Sequence, residues 1–437
     1  MSVRVSREAI VRADRRHVWP PYTPADAHET SEPLVVVEAE GAWLTDADGR
    51  RYLDGNASWW VASLGHRHPR LVRVLAEQAR TLTHVAMAGI THEPAALLAE
   101  ELVQVAPRGS SLAPVLTRVF YTDNGSGSVE AAIKVATQFW RQSGRPEKCR
   151  FMALDGAFHG DTVGAASLGG VEIFRRPFAG ILFDCVRAPS PSDHGAAFEV
   201  MEQLIRERKD ELAAVVVEPL LQGAEGMRMY EPAWLARLRA CCTENDVLLV
   251  ADEVFTGYGR TGRMWACDHA GIAPDILCLG KAFASLLPMG AMMATDRVYD
   301  AFRGAKDRAF YYGHTFYGHP LGAALAREVL AIYRDEGVVQ QAAAKAPMIA
   351  RAMQSLGSLT GVLAPRSLGM VGAVDLGNGG YAGDIGWRVY AEAKRRGAYL
   401  RPLGDTVYVC PPLTISEGDL LALLDIFGES VRAALAG

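Results

Sequence analysis

The chain predicts an α/β fold, with a large domain built on a mostly parallel sheet and a smaller α+β domain after it. Three observations predict it. From about residue 66 apolar runs alternate with amphipathic stretches, the pattern of helices laid on both faces of a parallel sheet. The runs Ala213-Ala-Val-Val-Val and Val247-Leu-Leu-Val-Ala are apolar throughout, as strands covered on both faces are. After about residue 325 long helical stretches are interrupted by short strands.

Taken in order, residues 1–65 read as an irregular arm with short strands. The candidates lie in Leu34–Glu40 and Ala42–Asp54, the latter with a turn at Asp48-Gly49. Leu71 to Leu82 has helical periodicity, Arg118–Thr122 is a short strand, and Val129 to Trp140 is a helix. Phe151–Leu154 is a further strand, and Ala197 to Leu212 is amphipathic and helical. A helix from Trp234 to Glu244 joins the two continuous runs. The C-terminal part begins with helices over 321–335 and 338–356. A strand at 370–375, a helix over 385–396, short strands near Tyr399 and Val407, and a closing helix over 417–435 follow. The division that results is 1–65, arm and part of the small domain; 66–325, large domain; and 326–437, small α+β domain.

The chain has 437 residues, 49% of them hydrophobic and 22% charged, which suits a soluble enzyme of two or three domains. A net charge of −5 with scattered basic residues gives no footprint for nucleic acid or an anionic membrane. The seven cysteines are odd in number and lack paired metal spacing, which fits a reduced, cytoplasmic compartment. The first residues contain no apolar signal core, and no run reaches the ~18 apolar residues of a membrane span. His66-Arg-His68 has no accompanying cysteine or carboxylate cluster, so no metal is expected. Cys241-Cys242 lies on an expected helix and reads as packing.

Polar residues that close apolar runs carry the chemistry. Lys281 ends Asp275-Ile-Leu-Cys-Leu-Gly-Lys, Asp252 ends the Val247 run, and Glu218 ends the Ala213 run. In a doubly wound sheet the carboxyl ends of the strands face one cleft. A lysine and an aspartate there suit pyridoxal phosphate: the amine holds the aldehyde as a Schiff base, and the carboxylate keeps the ring nitrogen protonated. Singly, each residue has a plainer reading as a cap or a solvated charge. Asn124-Gly125-Ser126-Gly127-Ser128 lies between a strand and a helix, where N–H groups and hydroxyls can hold a phosphate. Phe158-His159-Gly160-Asp161-Thr162 offers an aromatic ring for a planar ligand, and Tyr312-Gly-His314-Thr315 offers a loop hydroxyl.

Together these segments resemble the class III aminotransferases, which have the fold-type I architecture of pyridoxal phosphate enzymes. The most specific stretch is Leu248-Leu-Val-Ala-Asp-Glu-Val-Phe-Thr-Gly-Tyr-Gly-Arg260-Thr-Gly262 followed by Gly280-Lys281, and the likeness spans roughly residues 15–430. The resemblance implies Lys281 for the cofactor aldehyde and Asp252 for the pyridinium. It implies Gly125 and Ser126 at the phosphate, Phe158 over the ring and Val254 beneath it, with His159 and Glu218 in the same set. Thr315 would reach the phosphate of a neighbouring subunit, which implies a homodimer with sites at the interface.

Three segments resemble one substrate branch of the class. His17-Val-Trp-Pro-Pro-Tyr22 looks like an arm that brings a tyrosine to the substrate, and Ser58-Trp59-Trp60 like paired tryptophans on the pocket wall. Leu400-Arg401-Pro402 with Tyr408-Val-Cys-Pro-Pro412 looks like the end that meets a substrate carboxylate. Phe158 and His314 join this substrate set, and Arg260 serves either a second carboxylate or the structure. The tryptophan pair and Arg401 argue against a class III enzyme for ornithine or another ω-amine. Relatives in the branch divide between S-adenosylmethionine and lysine as donor, and residues 401–405 do not separate the two. The chain departs from the pattern at Phe158, where tyrosine is usual, and at Ala284-Ser-Leu-Leu-Pro-Met-Gly290, where a Gly-Gly-Tyr-Leu turn is common.

Overall fold

The structure is a computed structural model that describes residues 5–111, 115–192, 197–378 and 380–436. Its centre is a seven-stranded sheet in the order Leu116–Thr122, Gly290–Thr295, Ile276–Leu279, Leu248–Asp252, Leu212–Val217, Arg150–Leu154, Cys185–Ala188. Gly290–Thr295 alone runs antiparallel to its neighbours; the other pairings are parallel. Leu212–Val217, Leu248–Asp252 and Ile276–Leu279 are buried at every residue, which is why they read as unbroken apolar runs. Helix Gly125–Gln142 packs along this sheet. Helix Pro320–Asp335 packs against Pro69–Thr81 and Glu93–Val105.

Register places the site. Asp252 lies opposite Cys278 on the adjacent parallel strand, and Lys281 follows just beyond that strand's end. Both residues therefore emerge at the same edge of the sheet, where α/β folds bind ligands.

Two smaller sheets complete the frame. Val36–Glu40, Trp43–Asp46, Arg51–Asp54 and Ala398–Tyr399 form one, with Ala398 opposite Leu53 and Tyr399 opposite Asp54. The other is Leu363–Leu368, Val371–Asp375 and Thr406–Val409. The first joins the beginning of the chain to its end.

Several elements differ from the expectation. The arm holds two helices, Arg7–His17 and Ala25–Thr30. Ser6 caps the first by accepting the N–H of Ala9 at 3.2 Å, and Arg7 and Arg15 both pair with Glu32. Only Val11 of that helix is buried, so there is no apolar stripe to betray it. Helix Glu93–Val105 starts at His92, whose ring nitrogen accepts the N–H of Ala95. Strand Gly290–Thr295 is Gly-Ala-Met-Met-Ala-Thr, a composition poor in β-formers. It persists because it is hydrogen-bonded on both sides, and a Cβ at Gly290 would stand 2.7 Å from the carbonyl oxygens of Asn124 and Leu279. The helix expected over 197–212 ends at Arg208, and Leu212 opens the next strand.

Candidate active site

Glu218, Asp252 and Lys281 converge on a cavity of about 760 Å³ at the carboxyl edge of the sheet, also lined by Gly125, Ser126, Phe158, His159 and Val254. Asp252 is 4% exposed. Its Oδ2 lies 2.8 Å from Nδ1 of the buried His159, and its Oδ1 accepts the N–H of Val254 at 3.1 Å. These contacts fix a carboxylate where bulk water cannot screen it. Lys281 adopts φ +47° directly after the extended Gly280. Its Nζ stands 5.0 Å from the Trp60 ring centroid and 5.8 Å from that of Phe255. Among the described residues it has no hydrogen-bond acceptor. Burial pushes its ammonium pKa down, opposed by Asp252 and Glu218, so it is readied to give up a proton and attack a carbonyl.

Glu218 accepts the N–H of Phe158 and of Gly223, each at 3.0 Å. It thereby ties the Phe158 segment to the end of its strand. Burial outweighs these donors and His159, and raises the Glu218 carboxyl to about 7. The sign follows: the neutral acid is favoured in the folded chain, so its stabilisation is complete below the ordinary value of 4.5 and is lost as pH rises toward 7. Glu218→Gln places an amide NH₂ against one of two N–H donors. The cofactor-free variant is expected to lose about 1–3 kcal/mol at acidic pH. Thermal unfolding should show the gap to wild type narrowing across that window; a constant gap would contradict this reading of Glu218.

The phosphate end is built by the N-terminus of helix Gly125–Gln142. Asn124 caps it, its Oδ1 accepting the N–H of Gly127 at 2.8 Å. Ser126 Oγ lies 2.7 Å from Thr162 Oγ1 and accepts the Thr162 N–H at 3.2 Å. The turn is closely packed. A Cβ at Gly125 would come within 2.5 Å of Val254 Cγ1, and one at Gly280 within 2.8 Å of the Gly125 Cα. Gly125→Ala is therefore expected to displace Val254 into the cavity and weaken cofactor binding at least about tenfold, equivalent to ~1.4 kcal/mol. Titration of the unloaded chain with pyridoxal phosphate checks this.

The other end is aromatic. Residues Ala57, Ser58, Trp59 and Trp60 all have positive φ, from 45° to 73°. This is a left-handed turn without glycine, at a cost of about 1–2 kcal/mol per residue. Trp60 packs on Phe255 at 4.3 Å, and its Nε1 donates to the Tyr408 hydroxyl at 3.2 Å. Trp59 lies beneath Arg401, whose guanidinium is 5.0 Å from the indole centroid and 5.7 Å from that of Trp387. Among the described residues no carboxylate pairs with Arg401. Trp59, Tyr408 and Arg401 line an adjoining cavity of about 510 Å³ with Asn56 and Tyr399. Tyr22 meets Trp59 and Phe174 edge-on at 5.4 and 5.5 Å, and its hydroxyl donates to Asp161. Phe158 meets Phe174 at 5.7 Å.

Three expected site residues stand elsewhere. Arg260 is buried and donates to the carbonyl of Pro411 at 2.7 Å, and it is absent from the cavity wall. That contact ties it to the segment that follows Tyr408, while its other terminal nitrogen has no hydrogen-bond partner among the described residues. His314 turns toward Asp123, 3.6 Å away. Thr315 is exposed and off the cavity wall of its own chain. Conversely, Phe174, Phe255 and Tyr381 belong to the site's surroundings and carry no role in the sequence reading. Asn124 was legible as a cap before Gly-Ser-Gly. Phe174 and Tyr381 sit on short segments with no pattern of their own, and only tertiary packing brings their rings to 4.9 Å. His66 and His68 pair with Asp54 and Glu336. No helix of the described residues is long and apolar enough to cross a membrane.

A half-buried lysine and a buried carboxylate at the ends of adjacent parallel strands, facing a helix N-terminus, are the arrangement of a fold-type I pyridoxal phosphate enzyme. The chain belongs to the class-III aminotransferase family, whose sequence model matches residues 25–431. It is 41% identical to the adenosylmethionine-8-amino-7-oxononanoate aminotransferase of Synechococcus elongatus over 94% of this chain and 99% of that one. It is 38% identical to the enzyme of the same name from Geobacter sulfurreducens over 97% of each. Among solved structures it is similar to that of the Methanocaldococcus jannaschii enzyme of that name, with TM-score 0.94, 31% identity, and 98% and 99% coverage. It is also similar to an omega transaminase from Pseudomonas jessenii in complex with PMP, with TM-score 0.91, 28% identity and 98% coverage of each chain.

The residues present fit the cofactor. The cradle at Gly125 and Gly280 admits no Cβ, the helix N-terminus and Ser126 offer donors to a phosphate, and Asp252 supplies a buried negative charge for a protonated ring nitrogen. Lys281 is the one amine among the cavity-lining residues.

Proposed function

We propose that the enzyme transfers an amino group to 8-amino-7-oxononanoate, giving 7,8-diaminononanoate in biotin biosynthesis, with S-adenosylmethionine as donor. The observation that carries this reading is Arg401. Its guanidinium, which no carboxylate pairs among the described residues, lies over Trp59 in the cavity beside that of Lys281, where it can take the carboxylate of a long aliphatic substrate. The printed names of the relatives supply the substrate and the donor.

Bound pyridoxal phosphate supplies an aldehyde and an electron-accepting ring. The chain's own residues do the rest. Gly125, Ser126 and Thr162 would hold the phosphate, and Asp252, steadied by His159, would keep the ring nitrogen charged. Phe158 and Val254 would pack on the ring's two faces. Lys281 Nζ would hold the cofactor's aldehyde and, as general base and then general acid, would take the substrate's α-proton and return it. Trp59 and Trp60 exclude water from the alkyl chain, and Tyr22 closes the same side. The same steps run in reverse for the second substrate. Thr315, exposed in its own chain, would serve the neighbouring subunit's phosphate, which makes the working unit a homodimer.

Product formation from 8-amino-7-oxononanoate, followed by mass spectrometry with S-adenosylmethionine or lysine as donor, tests the proposal. Arg401→Gln is expected to raise the acceptor KM at least about tenfold with kcat little changed, as loss of a charged contact made equally in ground and transition states requires. An unchanged KM would sink the role of Arg401.

A further inference from the structure

We infer that Asp54 is a positioning residue that sets the length of acceptor the enzyme takes, by holding Trp59 and Trp60 apart on a strained turn. The inference rests on the acceptor reading above.

Strand Arg51–Asp54 ends at a carboxylate whose side chain is 0% exposed. That carboxylate collects three donors. Oδ1 accepts the N–H of Asn56 at 3.3 Å, and Oδ2 receives the Ser58 hydroxyl at 2.8 Å and Nε2 of His66 at 2.9 Å. The strand itself is fixed by pairing with Ala398–Tyr399, next to Arg401. Asn56 precedes and Ser58 lies within the turn of residues 57–60, where four successive non-glycine residues have positive φ, and His66 ties the same carboxylate to the chain beyond it. Such a conformation persists only where surrounding contacts over-determine it.

The turn has a consequence for the cleft. Two neighbouring residues reach its two ends. Trp59 lies 5.0 Å from the guanidinium of Arg401, and Trp60 lies 5.0 Å from Nζ of Lys281. Relaxing residues 57–60 to negative φ would swing one indole away from its end. The span between the charge that takes the carboxylate and the lysine that moves the proton is thus walled by a single turn, and Asp54, itself absent from both cavity walls, clamps that turn through Asn56, Ser58 and His66, which line the carboxylate end. Such a clamp acts on discrimination between chain lengths, where single methylenes are worth tens-fold in kcat/KM.

The test compares kcat/KM for 8-amino-7-oxononanoate with that for a homologue two methylenes shorter, using the loaded enzyme. Wild type should prefer the longer acceptor. Asp54→Asn should reduce that preference at least tenfold, mainly through KM for the longer acceptor, while the absorbance of the lysine-bound cofactor is unchanged. Ser58 is exposed, and glycine there takes positive φ freely. Asp54→Asn/Ser58→Gly should therefore restore the preference to within threefold of wild type, a rescue that a merely structural carboxylate would not allow. Ser58→Ala, which removes one donor and no buried charge, should lower the preference at least threefold and serves if Asp54→Asn does not fold. An unchanged preference in Asp54→Asn or in Ser58→Ala, or equal losses on both acceptors without rescue, overturns the proposal alone. A wild type that uses neither acceptor overturns the acceptor reading and this proposal with it.

Discussion

Lys281→Ala is expected to abolish multiple turnover and the absorbance of the lysine-bound cofactor. The side chain has two tasks that no neighbour can assume. It is the cavity's amine, and among the described residues nothing else there pairs a depressed ammonium with access to the reacting carbon. Loss of a positioned general base alone costs about 10²–10⁴ in rate, and loss of the covalent anchor adds to it. The fold should survive, because the cavity side of Lys281 is held by no hydrogen bond and Gly280 keeps the turn. Alanine at 281 must still adopt φ +47°, so a modest fall in Tm is expected alongside. Retained multiple turnover, measured with any amino donor, would remove Lys281 from the mechanism.

Asp252→Asn should leave the cofactor bound and slow the reaction by about 10²–10³, the scale of losing one preorganised charge in a water-excluded site. The substitution is nearly isosteric, and its amide oxygen can still meet either His159 or the N–H of Val254. What disappears is the negative charge that holds a proton on the ring nitrogen. The buried position makes that charge count, since Asp252 is 4% exposed and water cannot replace it. A shift in the absorbance of the lysine-bound cofactor should accompany the loss, because ring protonation changes. A variant with wild-type rate and spectrum would mean that another group serves the nitrogen.

These two residues were the most legible part of the site, and for one reason. A polar residue at the end of a run that is apolar on both faces has few places to go. Strands 212–217, 248–252 and 276–279 announce themselves by composition, and their neighbouring register then brings Asp252 and Lys281 together. Gly125 and Ser126 were readable as a strand-to-helix turn with donors. The substrate end was legible through resemblance only. Nothing in Ala57-Ser-Trp-Trp signals a left-handed turn, because L-residues avoid that region unless surrounding contacts impose it; here the turn is tied to the carboxylate of Asp54, at the end of the strand just before it. Arg260 illustrates the converse. Its place in the run after Asp252 leaves a carboxylate ligand and a structural role both open, and the contact its guanidinium makes, with the Pro411 carbonyl, is to a residue 151 positions away in sequence. The helices of the arm were invisible because ion pairs with Glu32 and a serine cap hold Arg7–His17, rather than an apolar face.

The most direct test of the account is a single-turnover absorbance experiment. Loaded enzyme is mixed separately with 7,8-diaminononanoate, S-adenosylmethionine and lysine, and conversion of the lysine-bound cofactor to pyridoxamine phosphate is followed. Conversion by the diamine and by S-adenosylmethionine is expected, with lysine inert. Conversion by the diamine and lysine instead would keep the acceptor and change the donor. Conversion by none of the three, in enzyme whose starting spectrum is normal, would contradict the assignment of Arg401 and the tryptophan pair to this substrate.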